Sequence, residues 1–305
     1  MELLSKHNRG QNRGAVLTLF VTILLLIITG SILYYDYPNT KVAESDLRVH
    51  FSAPSNQQNL NATRAAAILE TRPLENLVPL ILHFSVTLGP EWPIHVFTSS
   101  SNKNAFQKSS AFARLVKSGA IVLRELPRGI PDDFAFHESY KQSSFLTQKW
   151  FWEQIALAEY VFLFNADSMI CSRAEKSLND FLGYDLVIPQ KDTGEDLSGG
   201  ISLRRRSSML RVLEESDWNP ERSGNAELGG KAKAGAEASW FWSKLEGFAE
   251  SDSEDVNLPT KELMGSFAMD EVWQEKPFGY VQVQNEHDRL EEITTWCPEY
   301  SLAYS

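Results

Sequence analysis

The stretch from Phe145 to Ser172, FLTQKWFWEQIALAEYVFLFNADSMICS, constrains the fold more than any other part of the chain. Phe145, Lys149–Trp150, Trp152–Glu153 and Ala156 recur at roughly helical spacing. Tyr160-Val161-Phe162-Leu163-Phe164 then forms an apolar run of strand length, rich in aromatic and β-branched side chains. A strand that is apolar on both faces suits the centre of a parallel sheet covered by helices on either side. It ends in Asn165-Ala166-Asp167-Ser168. Ligands of open α/β sheets sit outside the carboxyl ends of the strands, so an acid there is a substrate or metal group, or else the N-cap of a following helix.

The rest of the chain repeats the alternation. Ala65 to Leu69 reads as a first strand, and Pro73 to Leu88 as a helix with proline in its first turn, stopped at Gly89-Pro90. A strand over Pro93–Thr98, a helix over Asn104–Lys117 and a strand over Ala120–Glu125 come next. Beyond the organising segment lie a short helix to Gly183, a strand over Tyr184–Pro189, and Gly199-Gly200 before another strand-like run. A helix over Ser207–Ser216, an insert rich in Gly, Ala, Lys and Glu, and an aromatic-faced helix over Glu237–Phe248 complete the readable part. Strands alternating with helices predict a mostly parallel sheet with crossovers and helices on both faces.

The amino terminus bears on the compartment. Ala15 to Leu33 is uncharged and almost wholly apolar, close to the roughly 20 residues a membrane helix needs. Lys6, Arg9 and Arg13 precede it, and Asp36, Glu44 and Asp46 come after it, which orients residues 1–14 to the cytoplasm. The expected organisation is a tail over 1–14, an anchor over 15–33, a polar stem over 34–60 and a lumenal domain over 61–305, with a glycosylation sequon at Asn61. Small residues at Gly30-Ser31 keep a cleaved signal peptide as the alternative. The formal net charge of −11, with no basic face, argues against a nucleic-acid partner. Cys171 and Cys297, the chain's two cysteines, allow one bridge in an oxidising compartment; two separate buried thiols are the other reading. No GxGxxG comes after the first strand, and there is no Walker A loop, GxSxG or HExxH.

The segments ETRPLENLVPLILHFSVTLGPEWPIHVFTS, FLTQKWFWEQIALAEYVFLFNADSMIC, SGGISLRRR, KPFGY and WCPEY resemble, in that order, a fungal family called domain of unknown function 5672. That family is itself similar to GT-A glycosyltransferases. The resemblance implies a GT-A-like, Rossmann-type sheet that binds a nucleotide sugar, with Mn2+ or Mg2+ held by a D-x-D motif to neutralise the leaving diphosphate. The matching tripeptide is Asn165-Ala166-Asp167, so Asp167 and Asn165 are the implied metal ligands and one acid is missing. Glu70, Thr71, Arg72 and Lys149 fall where such folds meet the nucleotide. Arg72 suits a phosphate because a guanidinium pairs anions bidentately, and Gly199, Gly200 and Ser202 match a loop lining the sugar and acceptor. Glu237 falls in a stretch resembling E-D-x-W and becomes the candidate base; Ala238 stands where the second acid would be. Val281 comes after KPFGY where the family pattern suggests His, and His287 lies a few residues on.

These residues support two function classes. The first is a type II membrane glycosyltransferase of the Golgi or endoplasmic reticulum, moving a sugar from a nucleotide sugar to a glycan, glycoprotein or lipid. The second is a catalytically degenerate relative that binds glycans or scaffolds other proteins, which the departures at Asn165, Ala238 and Val281 would suit. A Rossmann dehydrogenase lacks its glycine fingerprint.

Overall fold

The computed structural model describes residues 63–126, 130, 139–189, 200–218, 236–251, 256–270, 272–281 and 289–303, all within the unit Ala53–Ser305. The Ala15–Leu33 stretch, the stem, the Asn61 sequon, Gly199 and His287 lie outside the described residues. Among those described, no helix is long and apolar enough to cross a membrane.

The strands are β1 (Arg64–Leu69), β2 (Ile94–Thr98), β3 (Ile121–Glu125), β4 (Tyr160–Phe164), β5 (Met169–Ile170), β6 (Leu186–Val187), β7 (Ile201–Arg205), β8 (Ala268–Met269) and β9 (Gly279–Tyr280). The helices are α1 (Leu77–Leu88), α2 (Lys103–Lys108), α3 (Ser110–Ser118), α4 (Ser139–Leu146), α5 (Lys149–Gln154), α6 (Arg206–Glu215), α7 (Ala236–Glu250), α8 (Lys261–Phe267) and α9 (Leu290–Trp296). The main sheet runs β3-β2-β1-β4-β7-β6. Its first four strands are parallel, while β7 lies antiparallel to both β4 and β6. The fold is therefore α/β with a mixed sheet. A second sheet, β5-β9-β8, joins segments that carry no strand pattern in the sequence, because two-residue strands are too short to show a period.

The organising strand sits where its composition puts it. Phe162 and Phe164 face one core with Leu80, Ile81 and Phe84 of α1. Val161 and Leu163 face another with Phe151 and Trp152 of α5, Met209 of α6 and Phe241 of α7. Strict alternation places successive side chains on opposite faces, and here both faces are covered by helices.

Three boundaries move. The first helix begins at Leu77 rather than Pro73; the proline tolerated in its opening turn is Pro79, whose missing N–H belongs to the set that has no partner in any helix. The second splits at Ser109, whose extended backbone lets its hydroxyl accept from the Phe112 N–H at 3.3 Å and start α3. The third is two helices. Phe145 belongs to the end of α4, and the Trp152 indole donates to the Leu146 carbonyl at 2.9 Å across the break before α5. At the carboxyl end of the domain, Cys171 and Cys297 are bridged with Cα atoms 5.0 Å apart, which fastens the segment after α9 to the exit of β5.

Candidate functional site

The strand order reverses between β1 and β4. The chain steps from β1 outward to β2 and β3, then returns to place β4 on the other side of β1. A crevice at the carboxyl ends of the strands opens where two neighbouring connections leave in opposite directions. The β1–β4 register, with Ile68 opposite Phe164, sets the residues after Leu69 beside those after Phe164. Glu70-Thr71-Arg72 and Asn165-Ala166-Asp167 therefore share one sheet edge.

The first of these loops is rigid by construction. Arg72 donates from Nε to Glu70 Oε1 (3.0 Å), from Nη2 to Oε2 (2.7 Å) and from its backbone N–H to Oε1 (2.8 Å). Buried Asn102 brings its side-chain amide within hydrogen-bond distance of the Thr71 and Arg72 carbonyls, at 3.2 and 3.1 Å, and Ser99 Oγ donates to the Thr71 carbonyl at 3.0 Å. Glu70 is 3% exposed, whereas the Arg72 side chain is 41% exposed. A buried carboxylate thus aims a half-exposed guanidinium, which Glu70 holds charged, and Arg72 Nη1 has no partner among the described residues.

The second loop is a tight turn. The Ser168 N–H donates to the Asn165 carbonyl at 3.2 Å, and the Gly200 carbonyl accepts from both the Asn165 N–H (3.0 Å) and Ser168 Oγ (3.1 Å). The chain passes from this turn straight into β5, so there is no helix for Asp167 to cap. Asp167 Oδ1 is buried with no hydrogen-bond partner among the described residues. Burial pushes the Asp167 carboxyl up from the usual carboxylate range. Its own backbone N–H and the Arg72 charge oppose that, and Glu70 adds to it. Asp167 thus lies near enough to Glu70 and Arg72, at the same sheet edge, for both charges to act on it.

The other residues singled out in the sequence fall elsewhere. Lys149 is half-exposed, and its Nζ lies 3.9 Å from Glu214 of α6. Gly200 buttresses the Asp167 turn through its carbonyl. Ser202 is fully buried and its Oγ accepts from Arg204 Nε at 3.0 Å, so it lines no ligand surface. Glu237 is 3% exposed; Oε1 accepts from Arg204 Nη2 at 3.1 Å and Oε2 from Ser143 Oγ at 2.6 Å. Burial lowers the Arg204 pKa and Glu237 works against that shift. With both oxygens engaged, Glu237 ties α7 to α4 and β7. It does not stand open to a substrate hydroxyl.

Reading the sequence alone misses Gln142. Its Nε2 donates to Asn165 Oδ1 at 2.7 Å. Arg204, Ser143 and Asn102 are missed for the same reason: each acts through a contact far along the chain, and no local pattern marks it.

The model for the family described as "Protein of unknown function (DUF5672)" matches residues 127–281, just over half of the chain. The chain belongs to this family. No curated protein matches this DUF5672 chain. Among solved structures it is similar to the apo-form glycosyltransferase GlyE of Streptococcus pneumoniae, at 10% identity and a TM-score of 0.45, over 79% of this chain and 60% of that one. It is also similar to the galactosyltransferase LgtC in complex with donor and acceptor sugar analogues, at 11% identity and 0.42, over 78% and 95%. A third likeness is to the mannosyltransferase PcManGT of Pyrobaculum calidifontis, solved with GDP-Man and Mn2+, at 13% and 0.39, over 68% and 56%. The DUF5672 chain thus spans 60% of the length of GlyE and 56% of that of PcManGT. All three likenesses are distant.

A resident divalent cation does not fit the donor set. The Asn165 amide is paired with the Gln142 amide at 2.7 Å, both Glu70 oxygens are taken by Arg72, and position 281 is valine. Among the described residues of this cleft, Asp167 is the one carboxylate with an unpartnered oxygen, and hard cations want several such oxygens. Among the described residues no group of three His, Cys, Asp or Glu side chains could hold a metal.

Proposed function

We propose that this DUF5672 protein binds a nucleoside-diphosphate sugar at the β1/β4 edge and transfers the sugar to a hydroxyl of a glycan, glycoprotein or lipid. The observation that carries the reading is the buried, unpartnered Oδ1 of Asp167 beside the Glu70–Arg72 pair, at the point where the strand order reverses. A buried polar atom without a partner costs stability, and a ligand that satisfies it recovers that cost. Arg72 supplies a preset cation for a phosphate oxygen. Asp167 supplies an acceptor for a sugar hydroxyl. In transfer, the bond from the sugar's anomeric carbon to the diphosphate oxygen breaks and one to the acceptor oxygen forms. The hydroxyl proton goes to a base, and of Glu70, Asp167 and Glu237 only Asp167 has an oxygen without a partner among the described residues. Its raised pKa suits that task.

The reading extends to a type II anchor over 15–33 and a lumenal domain in the Golgi or endoplasmic reticulum. The charge order around that stretch and the buried Cys171–Cys297 bridge support it, since persistent disulfides belong to oxidising compartments.

A second reading, a glycan- or nucleotide-sugar-binding protein without transfer, is favoured by the enclosure of Glu237, the acid matching the family's candidate base. Release of nucleoside diphosphate by the full-length protein separates the two. Release that rises with an added glycan acceptor and falls at least about a hundredfold in Asp167→Asn supports transfer, in line with the weight of a positioned acid–base group. Binding without release supports the second reading.

A further inference from the structure

The Gln142–Asn165 contact is unexplained by the fold. Both side chains are partly exposed at the site edge, and each is left with half of its amide unused. With Gln142 Nε2 donating to Asn165 Oδ1, the Gln142 carbonyl and the Asn165 amide N–H groups have no partner among the described residues. Turning both amides over exchanges the two roles and leaves the same result, one free carbonyl and one free N–H side by side. The pair is also held still. Ser143, the next residue of α4, donates to Glu237, whose other oxygen takes the Arg204 guanidinium, and the Thr147 hydroxyl donates back to the Ser143 carbonyl at 2.9 Å. On the other side, Gly200 fixes the Asn165 backbone. Groups locked by such a supporting shell are preorganised for a ligand.

We propose that Gln142 and Asn165 form an uncharged amide couple that reads neighbouring hydroxyls of the bound sugar and makes sugar recognition independent of a divalent cation. A vicinal diol presents one donor and one acceptor at the spacing that a paired amide carbonyl and N–H match. The couple also explains why an amide can stand at position 165. In either orientation its amide is paired with Gln142, so the residue works as half of a neutral donor–acceptor unit. Asp167, next but one along the turn, supplies the charged acceptor. This inference rests on the nucleotide-sugar reading above and adds to it the residues that distinguish sugar from bare nucleotide.

The test is calorimetric titration of the full-length protein in detergent with a panel of nucleoside-diphosphate sugars and the matching nucleoside diphosphates, in EDTA and again with Mn2+. The wild type is expected to bind one sugar nucleotide in EDTA more tightly than its nucleoside diphosphate. Gln142→Ala is expected to weaken the sugar nucleotide about tenfold, the equivalent of one or two ordinary hydrogen bonds, and to leave the nucleoside diphosphate within about twofold. Gln142→Glu keeps the bulk and can still accept from Asn165, so it guards against a folding defect; it is expected to lose the same discrimination. Unchanged discrimination in both variants overturns the inference while leaving the nucleotide-sugar reading intact, as does wild-type binding that EDTA abolishes. A wild type that binds no nucleotide or sugar nucleotide overturns both.

Discussion

Glu237 has both carboxylate oxygens engaged at 3% exposure, while Asp167 keeps one buried oxygen with nothing among the described residues to bond to. Both acids belong to motifs that the family resemblance implies are parts of one site. Glu237 neutralises Arg204 and takes the Ser143 hydroxyl, so its charge is spent on holding α4 and α7 against β7. Asp167 lies in a turn whose backbone is fully organised by Gly200 and Ser168, and its side chain contributes little to holding that turn together. A buried carboxylate with both oxygens engaged holds the scaffold together, and one with an unpartnered oxygen calls for an explanation, which a bound ligand would supply.

Removing Glu237 is the strongest way to break the comparison. Glu237→Ala leaves Arg204 buried with no counter-charge, and the expected loss in unfolding free energy is about 3–5 kcal/mol, measured by chemical denaturation. A loss under about 1 kcal/mol would mean that Glu237 is no more structural than Asp167. His95 gives the next largest effect. Burial, helped by the Arg124 charge, lowers its pKa from 6.5 to about 3, and its Nδ1 accepts from Arg124 Nε at 3.3 Å. The folded state keeps this imidazole neutral while the unfolded chain protonates it. Its contribution is therefore present above the unfolded value and lost as pH falls toward about 3, at up to about 1.4 kcal/mol per pH unit. In His95→Gln that slope flattens; an unchanged acid limb would contradict the assignment.

Asp167 carries the opposite sign. Its folded pKa is raised, so the folded state holds the proton more tightly than the unfolded one, and stability declines as pH rises from the normal aspartate range through the raised value. Asp167→Asn removes that decline. The variant is expected to exceed the wild type by about 0.5–2 kcal/mol at pH 7, the size of an ordinary stabilising substitution, and to match it below about pH 4. A less stable variant at neutral pH would make Asp167 structural after all.

How much could be read in advance depended on distance along the chain. The Tyr160–Phe164 strand, its polar tip and the first two βα units were legible because their periods are local. The antiparallel β7 was not, since Ile201–Arg205 reads the same in either direction, and its orientation is settled by pairing with β4. The Glu70–Arg72 pair lies two residues apart and was visible as candidates. Gln142 was not, because it meets Asn165 across a separation of 23 residues and a lone glutamine on a helix carries no signal. Glu237 was misleading for the same reason: its partners Arg204 and Ser143 are far away in sequence, and only the fold brings them under it.

The most direct measurement of the central claim is the affinity of Asp167→Asn for the sugar nucleotide that the wild type prefers, taken at pH 7 by calorimetry. Removing a charged acceptor from a hydroxyl should weaken binding about tenfold or more while the protein itself becomes more stable. Equal affinity in the two proteins would show that the vacant oxygen of Asp167 does not receive the ligand.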